Sequence, residues 1–216
     1  PVSAFGGIVS CNFKITKNVA TELNNIYLEV VIANGYDQEA IKILKKKKNL
    51  RLIDATNFVI KDLLKFSSIN ESILTQSEDF KKFEIKDFKI VSKKKPNKSQ
   101  LKSLIFAFNI CRYVKSNAIV LASQNATVGI GSGQPSRLDS CKIAIDKMNK
   151  FQNLKEEIVA ASDAFFPFVD GVEKLVQSGV VAIIQPSGSI RDKEIIKFAN
   201  QTNTILIFSK TRHFRH

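Results

Sequence analysis

The segment S-D-A-F-F-P-F, residues 162–168, places an acidic side chain directly before a cluster of aromatic ones. Asp163 is followed by Phe165, Phe166 and Phe168, a spacing that fits neither the period of a helix nor that of a strand. A wall of phenyl rings beside a carboxylate suits the binding of a flat heterocycle. Ordinary core packing remains an alternative interpretation of the same rings.

A glycine-rich loop, G-I-G-S-G-Q-P-S-R at residues 129–137, follows a predicted strand and opens a predicted helix. Small residues let backbone amides approach an anion, and a helix N-terminus adds positive potential. The loop has neither the G-x-G-x-x-G fingerprint of a dinucleotide site nor the G-K-[ST] of a Walker loop. Arg137 falls in the first helical turn, where a cation opposes the helix dipole, so a ligand anion would explain it. A glycine turn with a surface arginine is the alternative.

Two further segments could contribute to a site. P-S-G-S-I-R-D, residues 186–192, offers hydroxyls and backbone amides before a helix, although Ser189 could simply be the capping residue of that helix. The terminal R-H-F-R-H, residues 212–216, holds both histidines of the chain. A charged tail is often disordered, whereas the strand directly before this one indicates a tail held over a site. Histidine and cysteine are too few for a convincing metal cluster, so we expect no metal.

The formal net charge of +13 favours an anionic ligand or nucleic acid. Of the 33 basic residues only six are arginine, namely Arg51, Arg112, Arg137, Arg191, Arg212 and Arg215. The lysines cluster in runs such as 45–48 and 93–95, which are usually solvated, and arginine reads bases and phosphates better. We therefore expect no nucleic-acid partner, and a basic nucleic-acid-binding protein remains an alternative.

The 216 residues, 44% of them hydrophobic, can form one large domain or two small ones with a sizeable core. No apolar run approaches the roughly 20 residues that span a membrane, and the first residues lack a signal-peptide pattern. We expect a cytoplasmic protein with no membrane partner. The three cysteines lie far apart without a C-x-x-C pair, which predicts three reduced thiols.

The elements that must position these segments alternate between strand and helix. We predict strands over 5–11, 27–33, 49–54, 88–92, 118–122, 127–130, 158–160, 180–184 and 204–208, and helices over 17–25, 37–47, 99–114, 136–148, 168–177 and 191–200. This alternation favours an α/β fold with a largely covered sheet. Residues 55–86 are polar and only weakly periodic, and we expect a loop over 67–78. The charged run 93–96 predicts a domain boundary, with domains 1–92 and 93–216.

The four segments at 129–137, 162–168, 186–192 and 212–216 resemble, in their order along the chain, those of the AICAR transformylase half of the bifunctional purine-biosynthesis enzymes, the PurH family. The similar segments also include V-K-S-N-A-I-V, S-A-F-G-G at 3–7, E-V-V-I-A at 29–33 and K-K-K-K-N-L-R-L at 45–52. The resemblance covers nearly the whole chain apart from residues 55–86. It implies a three-layer α/β/α sandwich of the cytidine-deaminase-like type with a mixed sheet. Residues 1–92 would be the latter part of the first transformylase subdomain, and residues 93–216 the second subdomain.

The resemblance also implies a reaction. The family transfers a formyl group from 10-formyltetrahydrofolate to the 5-amino group of AICAR, which gives FAICAR in the synthesis of IMP. The folate is a cosubstrate, so no tightly bound cofactor is implied. The family works as a homodimer with active sites at the subunit interface, so that Asn117 and Arg137 could serve different sites.

The family's site residues carry over motif by motif. Those that match the AICAR site are Gly6, Glu29, Asn117, Arg137, Phe165 and Arg212, and those that match the folate site are Leu138, Asp170, Ser189 and Ile190. Asn117 also matches a catalytic asparagine, whose amide can bond the carboxamide or formyl oxygen. The resemblance places Glu29 near a ribose hydroxyl and Phe165 against the AICAR base. The two arginines suit a phosphate and a carboxamide.

One family segment does not occur in the sequence. This is K-H-x-N-P-C-G, whose Lys-His pair does much of the chemistry and which lies shortly before S-A-F-G-G in the family. The IMP cyclohydrolase domain is not found either. We therefore expect a fragment of the enzyme that is inactive alone, and a non-catalytic nucleotide- or folate-binding fragment is the alternative.

Overall fold

The computed structural model describes residues 4–59, 64–79, 81, 83–150 and 157–215. They form two compact units, Pro1–Glu78 and Asp79–His216. The division falls earlier in the chain than the predicted boundary at residue 93, because the strand Phe88–Ile90 pairs with the last strand of the second unit. That the units correspond to the two transformylase subdomains stays a prediction. Ser3 and His216 of the quoted motifs lie outside the described residues.

The first unit contains three parallel strands and two helices. In chain order they are β1 (Gly7–Cys11), α1 (Lys17–Asn24), β2 (Leu28–Ala33), α2 (Gln38–Leu44) and β3 (Arg51–Asp54), and the sheet order is β1-β2-β3. Val31 and Ala33 of the central strand are buried together with Ala20 of α1 and Leu44 of α2. The alternation of strand and helix in this region is therefore as predicted.

The prediction of a loop over 67–78 is wrong, because this region is part of a hairpin. The strands β4 (Leu64–Ile69) and β5 (Ser72–Ser77) pair antiparallel throughout. Asn70 turns the chain with a φ of 50°, in a region that asparagine adopts more readily than most residues. Nearly every position of the two strands is exposed. Without a buried face, the sequence lacks the apolar alternation that indicates a strand.

The second unit is built on a six-stranded sheet. Its elements are β6 (Phe88–Ile90), α3 (Lys98–Cys111), β7 (Ile119–Ser123), β8 (Ala126–Gly131), α4 (Arg137–Met148), β9 (Ile158–Ser162), α5 (Val169–Gln177), β10 (Val180–Pro186), α6 (Asp192–Gln201) and β11 (Ile205–Ser209). The order is β6-β11-β10-β9-β7-β8, with β9, β10 and β11 parallel and the other pairs antiparallel. The predicted α/β fold with a mixed sheet is confirmed. No helix in the described part of the chain is long and apolar enough to cross a membrane.

Helices cover both faces of this sheet. On one face α3 buries Leu104 and Phe108 against strand residues such as Val120. On the other face α4, α5 and α6 bury residues such as Leu175 against Ile183 and its neighbours. Strands covered on both faces read as continuous apolar runs, which is why β7, β10 and β11 were visible in the sequence. The second unit is thus a three-layer α/β/α sandwich.

The sheet topology brings the chemistry-bearing segments to one edge. Because β9, β10 and β11 are parallel, all three end there and lead into residues 163–168, 187–191 and 210–215. The strand β7 runs the opposite way and begins at this edge, where Ile119 pairs with the last residues of both β8 and β9. In open α/β sheets, ligands bind outside the carboxyl ends of the strands.

Candidate active site

A cavity of about 490 Å³ lies at this edge of the sheet. Its lining includes six of the predicted site residues, namely Asn117, Arg137, Leu138, Phe165, Asp170 and Arg212. They come from the start of β7, the first turn of α4, the segment after β9, the first turn of α5 and the C-terminal segment. The fold therefore brings together residues matched to AICAR and residues matched to folate.

Arg137, the first residue of α4, is held by a buried carboxylate. Its Nη1 lies 2.8 Å from Oδ1 of Asp163, and the two side chains are 9% and 0% exposed. Burial lowers the pKa of Arg137, although the neighbouring Asp163 opposes this shift. An arginine guanidinium is always protonated in proteins, so Arg137 keeps its charge. Asp163 supplies a counter-charge for this cation within the chain, so a ligand anion is not needed to explain it, and the binding of an anion by Arg137 stays a prediction.

The amide of Asn117 is fixed by hydrogen bonds on both sides. Its Oδ1 accepts from Nη2 of Arg137 at 2.7 Å, and its Nδ2 donates to the backbone oxygens of Gln134 and Pro135, both at 2.9 Å. Ser140 of α4 donates to the Asn117 carbonyl at 2.8 Å. The two side chains are bonded to each other within one chain, and the expectation that they could serve different sites of a homodimer stays a prediction.

The glycines of residues 129–133 pack a helix against the sheet. A Cβ at Gly129 would lie 2.0 Å from the Ala144 oxygen, and one at Gly131 would lie 1.9 Å from the Ser140 oxygen. The strand β8 and the helix α4 thus approach more closely than any side chain allows. Gly133 turns the chain with a φ of 68°, and its amide donates to a backbone carbonyl. These contacts fit the glycine turn of the alternative interpretation, but Arg137 is not the surface arginine that this alternative assumed, because its side chain is 9% exposed. Anion binding by the loop stays a prediction.

The aromatic segment after β9 divides into a core part and a cavity part. Phe166 is 1% exposed and packs in the core beneath α5. Phe165 lies at the cavity, where Cζ of Arg212 is 5.1 Å from its ring centroid. Arg212 is exposed and forms no ion pair within the described ranges. The core interpretation is therefore confirmed for Phe166, and the binding interpretation stays a prediction for Phe165.

The residues matched to folate lie at helix starts. Leu138 is the second residue of α4, and Asp170 is the second residue of α5. The Asp170 side chain is exposed, and its Oδ1 accepts from the Gly171 amide at 2.7 Å. A Cβ at Gly171 would lie 2.7 Å from the Phe166 ring, so a glycine is required where α5 crosses that ring.

Ser189 and Ile190 do not line the cavity, but their loop is close to it. A Cβ on Gly188 would lie 3.6 Å from Nη2 of Arg212. Ser189 is not the cap of α6, because the residue before that helix is Arg191, whose amide donates to the Ser189 hydroxyl at 3.2 Å. The Ile190 side chain is fully exposed. Their role toward folate stays a prediction.

Gly6 and Glu29 lie in the first unit. Gly6 has a φ of 71°, and its amide donates to the Tyr27 carbonyl at 2.9 Å. A Cβ there would lie 3.8 Å from Oε1 of Glu29, so the exposed carboxylate on β2 is next to the Gly6 backbone. The pairing of these two residues fits a shared role toward one ligand, which stays a prediction.

Two residues of the cavity region were missed as site residues. Asp163 was noticed only as the acid of its motif, although an arginine near a helix start needs an anionic partner. Phe214 lines the cavity together with Arg212, which lies two residues earlier. An extended tail points alternate residues to the same side, so this alternation was the available signal. No group of three or more metal-binding side chains occurs among the residues that the structure describes.

The fold and the cavity define an α/β protein whose candidate site combines aromatic rings, one arginine paired with a buried carboxylate and one exposed arginine. Residues 1–147 match the family model described as the AICARFT/IMPCHase bienzyme, and the chain belongs to this family. It is 43% identical over 216 residues to the bifunctional purine biosynthesis protein PurH of Aquifex aeolicus (strain VF5). It is 44% identical over 217 residues to that of Oenococcus oeni (strain ATCC BAA-331 / PSU-1).

Both alignments cover 100% of this chain and 42% of the relative. The chain therefore spans less than half the length of the curated relatives it matches.

Proposed function

We propose that this chain forms the ligand-binding wall of an AICAR formyltransferase. The reaction transfers a formyl group from 10-formyltetrahydrofolate to the 5-amino group of AICAR and gives FAICAR. One observation carries the proposal: residues matched to the nucleotide and residues matched to the folate line a single cavity of about 490 Å³. Formyl transfer needs the amine and the formyl carbon in contact, so the two ligands must share one site.

The nucleotide end of the cavity offers a flat ring and two different cations. Phe165 supplies a face for the imidazole ring. Arg212 is exposed and lies over the Phe165 ring. It is the cation that we assign to the phosphate. The guanidinium of Arg137 is already neutralised by Asp163, so we assign it to a neutral group, the carboxamide oxygen.

Asn117 has a specific donor and acceptor pattern to offer. Both hydrogens of its Nδ2 are committed to backbone carbonyls, whereas its Oδ1 accepts one bond from Arg137 and keeps a second lone pair. We therefore assign Oδ1 to an N–H of AICAR and not the amide nitrogen to the formyl oxygen. A bond to the 5-amino group would orient this weak nucleophile toward the formyl carbon.

The folate end has one exposed carboxylate. Asp170 accepts a single backbone hydrogen bond and can accept further N–H groups, which suits a pterin ring. Leu138 supplies apolar surface beside it. The proton transfer and the oxyanion are assigned by resemblance to the family's Lys-His pair, so the residues described here bind and orient. The family's homodimer remains part of this proposal, and sedimentation of the chain tests it.

Calorimetry with AICAR and with its riboside, which lacks the phosphate, tests the nucleotide assignment. We expect the riboside to bind about tenfold to a hundredfold more weakly, since a hydrogen bond to a charged group contributes about 1.5–3 kcal/mol. In the Arg212→Ala variant the two ligands should bind almost equally. The control Lys142→Ala removes a cation of α4 whose side chain is 53% exposed and should leave both affinities unchanged.

Equal affinities of the unaltered chain for the two ligands would refute the phosphate assignment. Failure to bind AICAR at all would refute the proposed function of this chain. A formyl-transfer assay then distinguishes a catalytic chain from one that only binds.

A further inference from the structure

The C-terminal segment after β11 presents its side chains to two sides. Arg212 and Phe214 line the cavity, whereas His213 between them is 2% exposed. Hydrogen bonds hold the backbone of this segment in place, because the His213 amide donates to the Asp163 carbonyl at 2.9 Å. The Ser116 amide also donates to a carbonyl of the segment at 2.8 Å. The exposed cation of the cavity is therefore carried by a segment with one buried side chain.

That side chain is held by an aromatic cluster and one acid. The His213 ring centroid lies 4.8 Å from those of Phe83 and Phe108, at interplanar angles of 90° and 57°. Its Nδ1 lies 2.5 Å from Oδ2 of Asp79, whose side chain is 38% exposed. A carboxylate only accepts, so Nδ1 carries the hydrogen. The opposite nitrogen, Nε2, is buried without a partner among the described residues.

We infer that His213, clamped by Asp79, is a positioning residue that sets the affinity of the cavity for its anionic ligand through Arg212. The inference rests on the proposed function. Arg212 has no acidic partner within the described ranges and lies over the Phe165 ring, so the position of its guanidinium depends on that contact and on the backbone that carries the side chain. Without the clamp, ligand binding would have to order the segment as well, and ordering one residue weakens binding about tenfold.

Titration of AICAR into variants of this chain tests the inference. We expect His213→Ala and Asp79→Ala each to weaken binding about tenfold. We expect His213→Asn to bind more tightly than His213→Ala, because the asparagine amide nitrogen can take the place of Nδ1 and donate to Asp79. Adding His213→Ala to Arg212→Ala should change affinity little, because the residue to be positioned is already gone.

The control is Ile195→Val in α6, a fully buried residue of the core that does not line the cavity. It should lower the unfolding midpoint and leave AICAR affinity unchanged. If folded His213→Ala and Asp79→Ala variants bind as tightly as the unaltered chain, the inference is overturned. Losses that are fully additive with Arg212→Ala, or a His213→Asn variant as weak as His213→Ala, overturn it as well.

Amide hydrogen exchange separates this inference from the proposed function. If the unaltered chain binds no AICAR, the proposed function fails, but the anchoring can still be measured without a ligand. The His213 amide, which donates to Asp163, should exchange faster in Asp79→Ala than in Ile195→Val. Equal exchange rates in the two variants would overturn the clamp itself.

Discussion

Asp163 links three parts of the candidate site through one buried carboxylate. Its Oδ1 accepts from Arg137, its Oδ2 accepts from the Ser116 hydroxyl, and its carbonyl accepts from the His213 amide. A charge that is 0% exposed is tolerated only when it is paired and hydrogen-bonded. The position of Arg137 therefore depends on a residue that the cavity lining does not include.

Replacing Asp163 by asparagine should destabilise the fold strongly. The change leaves the Arg137 guanidinium buried without its counter-charge, and breaking a buried pair in this way costs about 3–5 kcal/mol. Urea unfolding at neutral pH measures the loss. The control Lys142→Ala breaks an exposed pair with Asp139 and should cost less than about 1 kcal/mol. Similar losses in both variants would contradict the assignment of a buried ion pair.

Because His213 is buried, we expect its contribution to the free energy of unfolding to decrease as the pH falls. Burial lowers its pKa, Arg112 lowers it further, and Asp79 and Asp163 oppose the shift. The unfolded chain, with a histidine pKa of about 6.5, therefore binds the proton before the folded chain does. The contribution is fully present above that pH and is lost as the pH falls through the lowered pKa of the folded protein.

Urea unfolding at about pH 7.5 and about pH 5.5 checks this, since the two values bracket the unfolded histidine pKa. The His213→Phe variant keeps a ring between Phe83 and Phe108 but cannot bind a proton. Effects of other titrating groups cancel when the two proteins are compared. We expect the unaltered chain to lose more stability than the variant at the lower pH. Equal losses would show that His213 does not titrate with a lowered pKa.

At the scale of elements, the close contact of α4 with β8 decides where Arg137 stands. Gly129 and Gly131 let the helix lie directly on the strand, and Ser136 begins the helix by accepting from the Asp139 amide. The strand β7 then pairs between β8 and β9, which places Asn117 between the ends of both neighbours. The bond from Arg137 to Asn117 is a consequence of this packing.

The Gly131→Ala variant should push α4 away from the sheet, because its Cβ would meet the Ser140 oxygen at 1.9 Å. Overpacking of this kind costs about 1–3 kcal/mol, and we expect AICAR binding to weaken because Arg137 moves with the helix. The matched control is Gly179→Ala, where a Cβ meets nothing within 4 Å but the φ of 94° strains an alanine. The control should lose stability and keep its affinity. Equal affinities in the two variants would contradict the role of α4.

At the scale of the whole second unit, one sheet separates two apolar cores. Cys111 lies in the core beneath α3, and Cys141 lies in the core beneath α4 to α6. Burial raises the pKa of Cys111 and raises that of Cys141 to about 12. Cys11 of the first unit is only half-buried. The three thiols are therefore reporters of three different regions.

Thiol labelling followed by peptide mapping should find Cys11 reactive in the native protein and the other two unreactive. Reaction requires an accessible thiolate. Burial raises the pKa of all three thiols, but Cys111 and Cys141 are also inaccessible, whereas Cys11 is half-buried. Both should become labelled together as urea unfolds the protein, because one sheet supports both cores. Labelling of Cys141 at clearly lower urea than Cys111 would show that the face with α4 to α6 opens independently.

Local sequence patterns were sufficient to predict most helices and strands of this protein and to identify its family. The helix α3 and the strands β7, β10 and β11 lie close to their predicted bounds, because buried faces leave a periodic or continuous apolar signal. Six of the eight predicted site residues of the second unit line one cavity, since each follows or begins a strand at the same edge. The exposed hairpin of β4 and β5 left no such signal and was missed.

Contacts between distant segments came only with the tertiary structure. The pairing of Arg137 with Asp163, the reversed strand that carries Asn117, and the burial of His213 against Asp79 join residues far apart in the chain. Hydrophobic periodicity shows which face of an element is buried, but not which element covers it. The order and direction of strands in the sheet decide that, and they bring Arg137, for which the sequence suggested only a ligand anion, against the buried Asp163.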